Sequence, residues 1–301
     1  MRKKRILLTS YSGEFGGMEL RMIQEAAMLS AAGYEVVLAP RKFDDIDLFK
    51  AHLSGLNVEF DTFSVPPFME EWKGRRLNLL RSNIIHRRRL KRWQVDLVHV
   101  FLCWTTYGLS ALHVATAAGI PTVASAHNVF PEVEFPPWSR ARIEEACSGF
   151  LGVYSVSQSA HDAFRKVFDP YLAADTIVRS IPNGVDTNRF VPSPAHRQNL
   201  RNKYLIADDE LVIGAVMRLS DQKRPLLLLE VFSELIKTRR GLRLIVVGNG
   251  PLERQMRQKA ADLGLGGNVI FAGQVSDTAT VYPAFDIHLL LSQREGFGLV
   301  T

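Results

Sequence analysis

Short apolar runs alternate with longer helix-like segments along the whole chain, and that alternation leaves few architectures open. Runs such as Arg5–Thr9, Glu35–Ala39 and Leu242–Val247 are short, apolar and bounded by turn residues, as buried strands are. Helical stretches follow them, such as Met18–Ala32 closed by Gly33 and Tyr107–Ala118 closed by Gly119. This order predicts a doubly wound parallel α/β sheet with helices on both faces. In a first unit, strands are expected at 5–9, 35–39, 58–63, 95–102, 121–126, 151–157 and 176–181. Further helices are expected at 46–53, 139–148 and 160–168, with a basic helix before residue 95. Pro182–Pro194, with three prolines, one glycine and two asparagines, breaks the rhythm. After it, strands are expected at 211–216, 242–247, 268–272 and 286–292, and helices at 226–238, 252–263 and 277–285. The expected domains are therefore 1–185 and 186–301, two similar Rossmann-like halves. No covering helix follows the last strand before Thr301, so the second half is expected to be incomplete, truncated at its C-terminus.

Composition narrows the function classes. A length of 301 residues with 47% hydrophobic content is enough for two cores. The two cysteines, Cys103 and Cys147, are too far apart for a C-x-x-C metal site and too few for a disulfide framework. MRKKR runs straight into ILLTS, leaving no signal-peptide core, and no apolar run approaches a membrane span. A cytoplasmic location is expected. The net charge of +6 favours anionic partners. Much of it sits between Lys73 and Arg92, where nine basic residues occur without a carboxylate. Leu77, Leu79, Leu80, Ile84, Ile85 and Leu90 interleave with them, a pattern suited to a helix lying on an anionic membrane. A solvated basic helix face is the alternative. No aromatic stacking set accompanies the charge, which disfavours nucleic acid. Asp45-Ile46-Asp47 imitates a D-x-D metal motif but stands at a helix start, where carboxylates complement the dipole, so no metal is expected.

Two stretches have the chemistry of an anion site, and a third places a histidine at a strand end. Gly214–Pro225 (GAVMRLSDQKRP) follows a buried strand, carries Arg218 and Lys223, and ends with a proline suited to opening a helix. Ligands of open α/β sheets bind at such strand ends, although both cations can equally be solvated surface charges. Ser10–Gly17 joins a strand to a helix, so Gly16 and Gly17 let backbone N–H groups face an anion. An ordinary turn is the alternative, with Glu19 complementing the helix dipole. His127 and Asn128 stand at the end of the 121–126 strand, followed by the aromatic, proline-rich 130–138 loop. A structural histidine and a surface loop explain these as well.

Five stretches taken together resemble one family. Gly16-Gly17-Met18-Glu19, Ile181–Asp186, Gly214–Pro225, Val247–Leu252 and Ser292–Val300 (SQREGFGLV) are similar, in this order and spacing, to retaining glycosyltransferases of family 4, group 1. The resemblance implies a GT-B fold, two Rossmann-like domains facing a cleft, the first binding acceptor and the second a nucleotide-sugar donor. It implies that Arg218 and Lys223 hold the diphosphate, while Gly16, Gly17 and Gly250 border the donor. Glu295 would match the first glutamate of an E-x7-E motif, with the amides of Gly296, Phe297, Gly298 and Leu299 beside the sugar. His127 would contact the donor sugar, and Glu19 and Asn128 would lie on the acceptor side. The implied reaction transfers sugar from a UDP- or GDP-sugar to a glycan or lipid-linked acceptor, without metal or cofactor. A sugar-nucleotide epimerase of the same fold and a non-catalytic nucleotide-binding fragment are the alternatives. An oxidoreductase is disfavoured because SYSGEFGG lacks the G-x-G-x-x-G pattern.

Overall fold

A computed structural model of the protein describes residues 2–44, 46–68 and 75–301, the side chains of 75–78 excepted. Lys73 of the basic cluster and Asp45 of the D-x-D imitation lie outside the described residues. The molecule divides into two compact units, Met1–Asn183 and Gly184–Thr301.

The first unit contains strands β1 (Arg5–Ser10), β2 (Glu35–Leu38), β3 (Glu59–Phe60), β4 (Leu97–Leu102), β5 (Thr122–Ala126), β6 (Phe150–Ser155) and β7 (Ile177–Ser180). They form one sheet in the order β3-β2-β1-β4-β5-β6-β7, and every pairing is parallel. Helices α1 (Gly17–Ala31) and α2 (Ile46–Ala51) cover one face through Met22, Ile23, Ala26 and Phe49. Helices α3 (Arg75–Arg92), α4 (Leu109–Ala117) and α5 (Arg140–Ser148) cover the other through Leu90, Leu112 and Ile143, with Phe164 of α6 (Gln158–Phe168) in the same cluster. A parallel sheet buried on both faces needs strands apolar on both sides, and β1 and β4 have that composition.

The second unit is smaller. It contains α7 (Pro194–Lys203), β8 (Leu211–Val216), α8 (Pro225–Thr238), β9 (Leu242–Val247), α9 (Glu253–Asp262), β10 (Val269–Gly273) and β11 (Ile287–His288). Its sheet runs β10-β9-β8-β11, again wholly parallel. Leu228, Leu229 and Phe232 of α8 are buried against the sheet. Each contributes roughly 1.5–3 kcal/mol by leaving water. Gly214 lies flush against Phe285, where a Cβ would approach the ring to 2.1 Å.

The elements differ from expectation in four places. Residues 277–285 form two 3-10 turns, Thr278–Thr280 and Tyr282–Ala284, in place of a helix, because Pro283 removes an amide donor in mid-segment. The expected 286–292 strand pairs only over Ile287–His288 before leaving the sheet, and the 58–63 strand only over Glu59–Phe60. Helix α7 was not expected. Its Ser193 side chain accepts from the His196 amide at 3.3 Å and Pro194 occupies the first turn, so the proline-rich stretch is a helix entrance.

Candidate active site

In the second unit, strand order reverses between β8 and β11, each flanked by its own outgoing loop. Loops at the carboxyl ends of such strands diverge and leave a crevice, the usual ligand position of an open parallel sheet. The loop after β8 passes through Arg218, makes a 3-10 turn at Asp221–Lys223 and enters α8 at Pro225. Arg224 adopts the left-handed conformation (φ 50°), a strained state for a residue with a side chain. Arg218 is largely exposed, and desolvation of the part of its guanidinium that is covered lowers its pKa.

The loop after β11 is strapped to that turn. The Gln293 amide donates to the Gln222 carbonyl at 2.8 Å, and Gln222 Nε2 donates to the Arg294 carbonyl at 2.9 Å. Lys223 Nζ then pairs with Glu295 Oε1, both side chains being partly buried. A lysine and a glutamate 72 residues apart in sequence are thereby brought together at the switch point. Gly296 follows, Phe297 and Leu299 are exposed, and Gly298 takes φ +74° to turn the backbone. Gln222 and Arg294 were not singled out from sequence, since polar loop residues carry no periodic signal.

The loop after β9 completes the edge. Gly248 (φ +123°) and Gly250 (φ +157°) press on the β8 loop, where added Cβ atoms would meet the Met217 carbonyl oxygen at 2.0 Å and the Leu219 carbonyl oxygen at 2.6 Å. The Leu219 amide donates to Asn249 O at 2.8 Å, and the Leu252 amide donates to Leu219 O at 2.9 Å. The G-x-G is therefore a packing requirement in its own right. A surface hollow lined by Gly250, Pro251, Glu253, Arg254, Arg257 and Gln258 adjoins it.

In the first unit the order reverses between β1 and β4. Gly16 is the extended N-cap of α1, and its amide donates to Glu19 Oε2 at 2.9 Å. That donor is thus committed to Glu19, while Gly17 is exposed at the helix start. Glu19 is itself buried, and burial raises its carboxyl pKa to about 7, with hydrogen bonds from Ser12 and Gly16 acting the other way. His127 leaves β5 with its amide donating to Leu102 O at 3.1 Å. Its ring is buried, stacked on Phe101 at 5.7 Å, with Nε2 3.2 Å from Ser125 Oγ. Burial, with His99 nearby, lowers its pKa to about 3, so the ring is neutral near pH 7. Asn128, partly buried, follows it. Among the described residues no cluster of three His, Cys, Asp or Glu side chains is placed to hold a metal ion.

Residues 15–189 match the family described as Glycosyltransferase Family 4, and residues 196–301 match Glycosyl transferases group 1. The chain belongs to glycosyltransferase family 4, group 1. Among curated relatives it is 25% identical over 227 residues to an alpha-monoglucosyldiacylglycerol synthase of Streptococcus pneumoniae, covering 69% of this chain and 49% of that one. It is 30% identical over 179 residues to a GDP-mannose-dependent alpha-(1-6)-phosphatidylinositol monomannoside mannosyltransferase of Mycolicibacterium smegmatis, covering 59% and 46%. The chain thus spans about half the length of these relatives. Among solved structures, Anabaena HepE in complex with UDP-glucose superposes with a TM-score of 0.75 at 23% identity, covering 98% of this chain and 76% of that one. WaaG, a glycosyltransferase of lipopolysaccharide biosynthesis, gives 0.70 at 19% identity, covering 98% and 77%. The fold of this family 4 member is GT-B, its second domain the smaller.

Proposed function

We propose that this chain is the sugar-transferring part of a retaining glycosyltransferase that uses a UDP- or GDP-sugar. The observation carrying the reading is the Lys223–Glu295 pair at the β8/β11 switch point, with Arg218 on the loop that supplies Lys223. A diphosphate leaving group gains negative charge as the glycosidic bond breaks. Cations held in place before that moment stabilise the transition state more than the ground state. A unit charge pair about 4 Å apart is worth roughly 4 kcal/mol at an effective dielectric near 20. Arg218 and Lys223 take that role, and Glu295 and the amides of Gly296–Leu299 take the sugar hydroxyls. His127, neutral, serves the sugar as a hydrogen-bonding partner without adding charge. Retention follows a front-face displacement in which the departing phosphate oxygen accepts the acceptor hydroxyl proton, so no pair of catalytic carboxylates is needed (hydrolases use such a pair). The first unit serves the acceptor and the second the donor.

A lipid-linked acceptor at the inner face of a membrane fits α3. Leu79, Ser82 and Leu90 of that helix are buried, while Leu80, Ile84 and Ile85 are 59%, 43% and 61% exposed. Exposed Arg81, Arg87, Arg88, Lys91 and Arg92 share the outward side. An outward face that mixes isoleucines with cations suits anionic headgroups over an apolar boundary. Arg89 belongs instead to the fold, pairing with Asp61 at 2.6 Å and lying over the Trp93 ring. Among the described residues no helix is long and apolar enough to cross a membrane. The relatives whose names carry diacylglycerol and phosphatidylinositol support this acceptor class.

The test is calorimetric titration with UDP and GDP, followed by transfer assays from a panel of UDP- and GDP-sugars to glycolipid acceptors, with the product anomer read by NMR. Binding of one diphosphate and a product with the donor's anomeric configuration are expected. Absence of any nucleoside diphosphate binding would sink the reading.

A further inference from the structure

Near His127 lies a set of buried and partly buried polar groups that the reaction above leaves unused. Glu25 projects from α1 onto the sheet, where His99 Nδ1 approaches its Oε1 at 2.7 Å and the Tyr154 hydroxyl donates to its Oε2 at 2.9 Å. Phe101, Ser125 and Tyr154 are register partners across β4, β5 and β6, so their side chains form one row on that face. Ser125 stands beside Tyr154 in that row, on the neighbouring strand, and its Oγ lies 3.2 Å from His127 Nε2. The rings make a second connection, His99 stacking on Phe101 at 4.3 Å and Phe101 on His127 at 5.7 Å.

We propose that Glu25, His99 and Tyr154 are a positioning assembly that acts through Ser125 to hold the His127 ring as its Nε2–H tautomer, leaving Nδ1 as the hydrogen-bond acceptor. The argument is one of direction. Burial disfavours a charged Glu25, yet hydrogen bonding and charge from His99, with Tyr154 and Arg21, hold its carboxyl below the usual range. An ionised carboxylate only accepts, so the Tyr154 hydroxyl donates to it and His99 donates from Nδ1. The Tyr154 oxygen is then left to accept from the Ser125 hydroxyl. Ser125 Oγ, having spent its proton, accepts from His127 Nε2–H. With the Ser125 proton on the Tyr154 oxygen, the direction set at Glu25 is carried to His127.

Packing alone gives no reason to retain this set. Apolar residues of similar volume at buried ionic positions are often neutral or stabilising. A ring whose tautomer is fixed, by contrast, presents one defined atom to a ligand. In His127 that atom is an acceptor, suited to a sugar hydroxyl donor. This part of the proposal rests on the reading that His127 meets the donor sugar.

The test uses the whole protein labelled with 15N-histidine, in which long-range 15N–1H correlations report each ring's tautomer and the His127→Gln variant assigns the His127 signals. We expect the Nε2–H pattern in the unaltered protein, a mixed pattern in Ser125→Ala and Tyr154→Phe, and the original pattern in Ser125→Thr, which keeps the hydroxyl. Donor KM should rise about three- to tenfold in Ser125→Ala and Tyr154→Phe, as loss of one hydrogen bond predicts, and return in Ser125→Thr. An Nδ1–H ring in the unaltered protein, or an unchanged tautomer in both Ser125→Ala and Tyr154→Phe, overturns the assembly. A KM rise that Ser125→Thr does not rescue overturns its positioning role. Should no nucleotide-sugar bind, the transferase reading fails, while the tautomer pattern still decides whether the assembly exists.

Discussion

The Lys223 ammonium is paired with the Glu295 carboxylate, and hydrogen bonds between Gln222 and residues 293 and 294 hold the two loops in register around that pair. The two groups assigned to the diphosphate and the sugar thus pre-position each other. Replacing Lys223 by alanine should lower kcat by about 10²–10³, the usual cost of losing one fixed stabiliser of developing charge. Acceptor KM should stay near its original value. Steady-state kinetics with both substrates varied checks this, and an effect confined to acceptor KM would remove Lys223 from the leaving group.

Gly248 and Gly250 should not tolerate a methyl group. At Gly248 an added Cβ would lie 2.0 Å from the Met217 carbonyl oxygen at φ +123°, and at Gly250 2.6 Å from that of Leu219 at φ +157°. Backbone atoms do not rotate aside as side-chain atoms do, so each alanine variant should lose about 2–4 kcal/mol. Gly266, with nothing within 4 Å of its hypothetical Cβ, should change by less than about 0.5 kcal/mol on the same substitution. Urea midpoints of the three variants decide the matter.

Glu19 gives stability a pH dependence of known sign. Burial raises its pKa from 4.5 to about 7, so between those values the folded state binds more protons than the unfolded state. Stability therefore falls as pH rises through that window, by at most about 3 kcal/mol in all. Glu19→Gln keeps an oxygen for the Gly16 amide and removes the proton linkage. The variant should gain on the unaltered protein at pH 8 relative to pH 5 in paired urea unfolding curves. Equal differences at the two pH values would refute the linkage.

The outward side of α3 should bind anionic vesicles. Each basic residue near a charged surface contributes about 1 kcal/mol, so Arg88→Glu with Arg92→Glu should weaken binding at least about tenfold. Ile84→Ser with Ile85→Ser should weaken it without changing the helix's charge. Flotation with phosphatidylglycerol-containing and neutral vesicles measures both, with circular dichroism as the folding control. Binding that ignores all four substitutions would relieve α3 of this role.

Much of the architecture could be read from the sequence because both signals it uses are local. The runs of β1, β4, β8 and β9 are apolar over a strand's length, and their helices end at glycines such as Gly33 and Gly119, both with positive φ. Where reading erred, a short-range rule met a long-range one. Helix α7 begins inside a proline-rich stretch because Pro194 fits a helix's first turn, and it buries Arg201, whose guanidinium donates to the Glu210 carbonyl at 2.7 Å. Nothing local announces such an anchor. Arg218, Lys223 and Glu295 were visible as charges beside strand ends, whereas the Lys223–Glu295 pairing depends on β8 and β11 being neighbours. Glu25 and His99 carried a faint signal, a charged residue in a helix facing the sheet and a histidine inside an apolar strand. Their partnership needs the sheet to form first.

The strap between Gln222 and residues 293–294 has a consequence for engineering. A glycine-rich loop grafted from a relative at 293–298 would arrive without its seat, because Gln222 supplies both a carbonyl and an amide to it. Chimeras that aim to change the preferred sugar should therefore exchange the two loops as one cassette.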